Sequence, residues 1–252
     1  MRAKDLKIMI KHCVEEKINL LIVGAPGIGK TAIAKACVTD YDTMILHPVC
    51  DDPSDYKGLG FPTEDRQSAT FLPYGNLLRM MTAEKPLVVI TDDVGQAPDS
   101  TQAAIMQLVE ERSINGKKIS EHCRFILCTN RRGDKAGVRG ILEPLKSRCA
   151  IVQLDVSDED WRLWANSNGM PPELIAFSKL RPNMLHDFTP STDISNSANP
   201  RGWERVGRLQ NAGLPKALEY EAFLGCNGEK FAAEYTSFLR TFREMPNPEE
   251  FI

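Results

Sequence analysis

Residues 24–31, with the sequence GAPGIGKT, fit the pattern GxxxxGK[ST]. They follow an apolar run and precede a helix-like segment, the context in which this pattern binds phosphate. Its glycines let backbone N–H groups close around phosphate oxygens. The N-terminus of the helix that follows also attracts the negative charge of the phosphate. Lys30 is expected to reach β- and γ-phosphates, and the Thr31 hydroxyl to hold Mg²⁺. The predicted phosphate-binding residues are Gly24, Ala25, Pro26, Gly27, Ile28, Gly29, Lys30, Thr31 and Ala32.

Polar side chains follow two further apolar runs. Asp92 and Asp93 come directly after Leu87–Thr91, and Asn130 follows residues 125–129. Asp92 is expected to hold Mg²⁺ through water, and Asp93 to orient an attacking water molecule. A strand beside the phosphate-binding strand would deliver Asn130 to the γ-phosphate. The pattern predicts ATP and Mg²⁺ as the ligands.

Two arginines are candidates for stabilising charge on a transferred phosphoryl group. Arg148 lies in the segment 145–149, LKSRC, just before the last predicted strand. Arg201 lies in the first turn of a predicted helix that begins with Asn199 and Pro200, a good N-cap and first-turn pair. With Lys30, Asp93 and Asn130, they complete the predicted catalytic set.

The elements that must position these residues alternate between strands and helices up to about residue 155. This pattern predicts an α/β domain, 1–155, with a parallel sheet of five strands, and a smaller helical lid domain, 156–252. The predicted strands are Leu20–Val23, 44–46, Leu87–Thr91, 125–129 and 151–154.

Helix signals surround and follow these strands. Residues 32–38 and 99–112 are predicted helices, the latter with a capping box of Asp99 and Gln102 and a buried stripe of Ile105, Leu108 and Val109. Ser157 marks another helix start. Further predictions are a loop at 181–200 and helices near 215–224 and 229–243, separated by Gly225 and Gly228.

The composition is that of a globular protein without a membrane span, since no run of 18 apolar residues occurs. Seven cysteines without CxxC spacing favour free thiols and a cytoplasmic location. A net charge of −3 argues against a general nucleic-acid binder. The charge is uneven, with seven acids and one base in residues 40–65, and nine bases and three acids in residues 113–148.

Two segments have the character of insertions. Residues 113–119 place β-forming residues around Asn115-Gly116, which predicts a hairpin. The hairpin precedes the strand that carries Asn130, so a surface role towards a partner and a plain connector are both open. A second insertion is expected at residues 58–74.

This ordered set of motifs resembles the AAA+ superfamily and, within it, the MoxR-like branch. The resemblance implies a strand order of 5-1-4-3-2 and a homo-oligomeric ring, usually a hexamer. It places Asn130 as sensor 1, Arg148 as the finger of a neighbouring subunit, and Arg201 as sensor 2. It also implies remodelling of a protein partner, such as one containing a von Willebrand factor A domain. The matching segments are residues 55–59 (DYKGL), 71–77 (FLPYGNL), 101–112 (TQAAIMQLVEER) and 199–201 (NPR).

Two departures keep alternatives open. Asp93 stands where MoxR-like proteins usually carry Glu, and the resemblance at this pair extends to replication-initiator ATPases. Residues 145–149 look more like the finger segment of clamp loaders. The alternatives are therefore a DNA-transaction ATPase, with nucleic acid as a less favoured partner, and a nucleotide-gated scaffold with little hydrolysis.

Overall fold

The computed structural model describes residues 1–134, 139–188 and 194–244. Contacts within the chain define two compact units. The first comprises Met1, Ala3–Ala25 and Lys30–Asp155, and the second comprises Arg2, Pro26–Gly29 and the chain from Val156 onwards. The proposed division into two domains at residues 155 and 156 stays a prediction, because compactness does not test whether either half folds alone.

A parallel sheet of five strands forms the centre of the first unit, and from one edge to the other its strands are Asp42–Leu46, Leu87–Thr91, Cys123–Thr129, Leu20–Val23 and Ala150–Gln153. When only these five strands are numbered along the chain, the order from the other edge is 5-1-4-3-2, which confirms the predicted α/β topology. The strands of the unit are β1 Leu20–Val23, β2 Asp42–Leu46, β3 Leu59–Pro62, β4 Ala69–Leu72, β5 Leu87–Thr91, β6 Ser113–Ile114, β7 Lys117–Lys118, β8 Cys123–Thr129 and β9 Ala150–Gln153.

The central strands are mostly apolar, with the buried Arg124 of β8 as an exception, because both faces of the sheet are covered. All seven residues of β8 and all five of β5 are buried. A strand buried on both faces loses the alternation of polar and apolar residues that a half-exposed strand shows. In the register of the sheet, Leu21 of β1 lies opposite Leu127 of β8 and Ile151 of β9.

Six helices accompany the sheet within the described part of the first unit. The predicted stripe of Ile105, Leu108 and Val109 is buried, as expected. The helices are α1 Ala3–Glu15, α2 Lys30–Cys37, α3 Pro53–Lys57, α4 Gly75–Met81, α5 Asp99–Glu111 and α6 Glu143–Lys146.

The predicted capping box at the start of α5 is wrong. Pro98 occupies the N-cap position and Asp99 is the first helical residue, without a side-chain cap. The Gln102 amide instead donates to the carbonyls of Ala97 at 3.1 Å and Gly140 at 2.9 Å. A fully buried amide needs partners in the interior, and these carbonyls supply them.

Two small hairpins project from the first unit. The predicted turn is confirmed, because Asn115 and Gly116 both have positive φ, 49° and 75°, as a two-residue hairpin loop requires. It joins β6 to β7. The second hairpin pairs β3 with β4 inside the predicted insertion, and all eight of its strand residues are exposed.

The second unit is helical and packs around Trp203, which is fully buried. Phe177 stacks on the Trp203 ring at 5.5 Å, and Phe231 meets it edge-on at 4.9 Å. Among the described residues, no helix of either unit has the length and apolarity to cross a bilayer. The helices of this unit are α7 Asp158–Ser167, α8 Pro172–Leu180, α9 Pro200–Asn211, α10 Glu219–Asn227 and α11 Glu229–Glu244.

The ends of these helices test the predicted start and stop signals. Ser157 and Asn199 both accept a backbone N–H at the start of their helices, which confirms these N-caps. Gly225 lies inside α10 rather than after it, so the predicted end there is wrong. The separating residue is Gly228, with a φ of 84° that favours glycine. Residues 189–193 of the predicted 181–200 loop lie outside the described residues.

Candidate functional site

The candidate site lies at one edge of the sheet. Strands β1, β8 and β5 are parallel neighbours, so their carboxyl ends meet at the same edge. The chain leaves β1 into the glycine-rich loop, β5 into Asp92 and Asp93, and β8 into Asn130. Backbone hydrogen bonds extend the sheet to these positions, since the Gly24 N–H donates to Thr129 at 3.2 Å. Three separate strand ends thus supply one site.

Lys30 is the first residue of α2, and it is buried although it carries an ammonium group. Its Nζ donates to the Asn130 Oδ1 at 2.6 Å and to the carbonyls of Ala25 at 2.9 Å and Gly24 at 3.0 Å. A buried charge needs such partners, because burial without them is costly. The loop and Asn130 therefore converge on this lysine.

Beside the hydrogen bonds of Lys30, the site contains a contact between Thr31 and Asp92. The Thr31 hydroxyl donates to the Asp92 Oδ1 at 2.6 Å. A hydroxyl and a carboxylate are hard oxygen donors, the kind that Mg²⁺ prefers in phosphate sites. The donor chemistry of this pair fits Mg²⁺, and these two residues would hold it.

Asn130 connects the lysine to the second carboxylate. While its Oδ1 accepts from Lys30, its Nδ2 donates to the Asp93 Oδ1 at 3.1 Å. Asn130 is only 7% exposed, so both ends of its amide are engaged in a nearly closed environment. The predicted residues Lys30, Asp93 and Asn130 are therefore brought together by one side chain.

Asp93 has an unusual backbone conformation, with φ 54° and ψ 35°. This left-handed region is uncommon for residues other than glycine, although aspartate tolerates it better than most. The turn leads directly into a short 3₁₀ helix, Val94–Gln96. The chain bends sharply at the carboxylate that is predicted to orient water.

Cys128 lies behind the site in β8 and is completely buried. Burial, reinforced by the negative charge of Asp92, raises the pKa of its thiol to about 12. The charge of Lys30 acts in the opposite direction but does not offset burial. Cys128 is therefore a neutral, apolar neighbour of the charged residues at ordinary pH.

The loop between β1 and α2 depends on glycine at two positions. Gly27 and Gly29 have φ of 75° and 91°, values that side-chain-bearing residues rarely adopt. Pro26 and Ile28 alternate with them in the loop, and Ala32 lies in the first turn of α2. This conformation explains the motif glycine at position 29, and it favours glycine at position 27 as well, where the motif allows any residue.

Arg201 lies in the first turn of α9 in the second unit, with an exposed side chain. Its backbone N–H donates to the carbonyl of Gly27, which belongs to the same unit, at 3.1 Å. That the Arg201 guanidinium stabilises charge on the transferred phosphoryl group stays a prediction.

Arg148 does not join the Lys30 cluster. It follows α6, where its guanidinium pairs with Glu110 of α5 and donates to the Pro144 carbonyl at 2.6 Å and the Ser147 hydroxyl at 3.0 Å. Within its own subunit the arginine thus contacts the α5–α6 surface. Action on a neighbour's nucleotide stays a prediction.

Sequence reasoning missed two residues that fix Arg148. One is Glu110, and the other is Asn19, whose amide donates to the carbonyls of Arg148 at 3.2 Å and Val109 at 3.3 Å. Neither residue lies in a motif that suggests this role. Their function depends on contacts across more than 35 positions of the chain.

A strand, a glycine-rich loop and a helix that starts with a buried lysine, beside a hydroxyl–carboxylate pair, define a P-loop nucleotide-binding protein. A profile of the AAA domain, dynein-related subfamily, matches residues 19–149, just over half of the chain. The chain therefore belongs to this AAA family, and with it to the nucleotide-binding AAA+ ATPases.

Other comparisons add little beyond this family. No curated protein sequence matches the chain. Among solved structures, a mutant of Thermotoga maritima RuvB is 13% identical, over 94% of this chain and 69% of that chain, with a TM-score of 0.47. The T. maritima RuvB Holliday junction branch migration motor is 12% identical, over 94% and 67%, with a TM-score of 0.44.

Proposed function

We propose that the protein is an ATP-hydrolysing AAA+ ring ATPase of the MoxR-like kind that remodels a protein partner. The observation that carries the hydrolytic part is the Asn130 bridge between Lys30 and Asp93. It joins a cation suited to phosphate, a carboxylate suited to water and a polar side chain suited to the γ-phosphate. These are the groups that phosphoryl transfer requires, since its catalysis consists mainly of positioning and charge stabilisation.

In the proposed reaction, the oxygen of a water molecule bonds to the γ-phosphorus of ATP as the bond to the β–γ bridging oxygen breaks. The products are ADP, which takes the bridging oxygen and its electron pair, and inorganic phosphate, which keeps the oxygen and both hydrogens of the water. Asp93 orients the water, Asn130 donates to a γ-phosphate oxygen, and Lys30 exchanges its loop carbonyls for phosphate oxygens. Bound Mg²⁺ would neutralise phosphate charge.

Two substitutions test these roles. Lys30→Ala should lose ATP binding, because Lys30 acts on the ground state, whereas Asp93→Asn should bind ATP and lose most turnover. Equilibrium binding of a fluorescent ATP analogue and phosphate release measure the two effects. The matched control is Lys35→Ala, which replaces an exposed lysine of the same helix, α2. If Asp93→Asn binds no better than Lys30→Ala, the assignment fails.

The second part of the proposal is that Arg148 acts on the nucleotide of a neighbouring subunit in a ring, with six subunits as the expected number. A ring of identical subunits needs a heterologous interface, in which two different surfaces meet. An arginine supplied from a neighbour can contribute about 10³–10⁵ in turnover. An isolated subunit should therefore be nearly inactive.

Mixing of two inactive variants tests action between subunits. Arg148→Ala subunits keep their own nucleotide site, and Lys30→Ala subunits keep the arginine. Co-assembled mixtures should regain part of the activity that each variant lacks alone. If the variants co-assemble without any regain, Arg148 does not act in trans, and activity that persists in monomers would exclude the ring requirement.

The two hairpins are the proposed contact surface for the partner. The β3–β4 hairpin exposes Leu59, Phe61, Phe71 and Leu72, which is unusual for a region without a partner. Lys117 of the β6–β7 hairpin donates to the Phe71 carbonyl at 2.6 Å, so the two hairpins are in contact. This surface suits a protein with apolar and acidic groups. A protein with a von Willebrand factor A domain is the first candidate, by family resemblance.

A DNA-transaction ATPase is the second candidate function. It is favoured by the clamp-loader-like segment 145–149 and by the pair Asp92 and Asp93. Retention on DNA at physiological salt, with a steep salt dependence, would support it. Tight ATP binding with negligible turnover even at high protein concentration would instead indicate a nucleotide-gated scaffold.

A further inference from the structure

Arg148 is held more firmly than an ordinary surface arginine. Its Nε donates to the Glu110 carboxylate, and its Nη1 donates to the Pro144 carbonyl and the Ser147 hydroxyl. Within the part of the chain that the structure describes, its Nη2 makes no hydrogen bond. Two of the three guanidinium nitrogens, Nε and Nη1, are therefore anchored, and the two N–H groups of Nη2 remain for another acceptor.

The backbone of Arg148 is fixed as well. Asn19 donates from one amide to both the Arg148 and Val109 carbonyls, and its own Oδ1 accepts from Arg112 at 3.2 Å. The next strand begins at once, with the Ala150 N–H donating to the Asn19 carbonyl at 2.8 Å. The segment before β9 is thereby tied to the end of α5.

We infer that Glu110 is a positioning residue for Arg148, holding its Nε–H so that the Nη2 nitrogen is presented to the nucleotide of the adjacent subunit. The inference rests on the proposed trans role of Arg148. Among the described residues these contacts leave Nη2 unengaged, so this nitrogen can meet an acceptor that lies outside the chain. A long arginine side chain loses much conformational entropy when it is fixed. If Glu110 fixes it before the reaction, this loss no longer adds to the activation free energy.

The expected effect of Glu110→Ala is a fall in kcat of about tenfold, since ordering one long side chain is worth roughly this factor. ATP affinity and KM should change less than about twofold, because Glu110 serves the neighbour's site. Glu110→Gln should give an intermediate kcat, since its amide oxygen still accepts from Nε. Glu111→Ala is the matched control, because Glu111 is the next residue of α5 and pairs with Gln107.

A mixing experiment separates positioning of the arginine from damage to the residue's own subunit. Glu110→Ala subunits keep their own nucleotide site, and Lys30→Ala subunits keep an intact Glu110–Arg148 pair. Turnover per Glu110→Ala subunit should therefore rise when Lys30→Ala subunits are added. Thermal unfolding of each variant should stay close to that of the unsubstituted protein, because Glu110 is exposed.

The outcomes distinguish this inference from the proposed function. If Arg148→Ala is inactive but Glu110→Ala keeps full or higher kcat, the positioning role is overturned and the trans role stands. If Glu110→Ala weakens ATP binding as much as kcat, the positioning role is also overturned. Full kcat in Arg148→Ala would overturn the trans role itself and the positioning role with it.

Discussion

Asn130→Ala is the substitution whose effect follows most directly from the site geometry. It removes an acceptor for Lys30 and a donor to Asp93 together. Lys30 keeps the carbonyls of Gly24 and Ala25, so its ammonium is not left without partners. Hydrolysis should be affected much more than ATP binding, because the proposed role of Asn130 concerns the γ-phosphate.

The size of the effect on stability and on kcat follows from the hydrogen bonds that Asn130→Ala removes. A hydrogen bond to a charged group contributes about 1.5–3 kcal/mol, and the partly exposed Asp93 favours the lower end. We therefore expect a coupling of about 1.5 kcal/mol between Asn130 and Asp93 in the free energy of unfolding. Loss of a donor to developing charge costs about 10²–10³ in kcat.

A double-mutant cycle in urea measures the coupling, with Asn130→Ala and Asp93→Ala alone and together. Asp42→Ala is the control for the cycle, since Asp42 lies at the amino end of β2 and pairs with Arg79. Its effect should add to that of Asn130→Ala. An Asn130–Asp93 coupling below about 0.5 kcal/mol, the usual scatter of additivity, or an unchanged kcat would refute the reasoning.

Two further predictions concern the hairpin surface and the buried thiol. Replacing Lys117 and Lys118 with Ser should leave basal ATPase activity nearly intact and weaken stimulation by a partner; equal losses in both assays would contradict a partner role. Because burial raises the pKa of Cys128 to about 12, the folded state keeps its thiol proton where the unfolded chain has lost it. The contribution of Cys128 to the free energy of unfolding should therefore fall as pH rises above about 9, by at most about 1.4 kcal/mol per pH unit. In urea titrations at pH 8–10.5, the free energy of unfolding should fall less with pH for Cys128→Ala than for the unsubstituted protein. Cys50→Ala, which changes an exposed cysteine, is the control and should show the full fall. Identical pH slopes for Cys128→Ala and the unsubstituted protein would contradict this account.

The central sheet could be predicted because its signals are local. Runs such as Leu87–Thr91 carry their apolar pattern in consecutive residues, and strand ends at one edge bring Asp93 and Asn130 together. The direct bridge from Asn130 to Lys30 could not be predicted, because it depends on the rotamers of both side chains.

Contacts between distant segments account for the failures. The local pattern favours Asp99 as the cap of α5, but Pro98 takes that position, and Gln102 bonds to the Gly140 carbonyl, 38 positions away. The role of Asn19 could not be predicted from the sequence either, since its amide donates to the Arg148 carbonyl, 129 positions further on. No short-range pattern of residues encodes such partners.

The left-handed turn at Asp93 bears on how this site can change by substitution. Glutamate, the residue usual in MoxR-like proteins, would bring its longer side chain to a backbone with φ 54°. Residues other than glycine, asparagine and aspartate are disfavoured there, by roughly 1–2 kcal/mol. Asp93→Glu would therefore require the backbone to absorb strain or to rotate out of this region. The shorter carboxylate therefore suits the bend, and a change from Asp93 to glutamate would carry this backbone cost unless the turn changed with it.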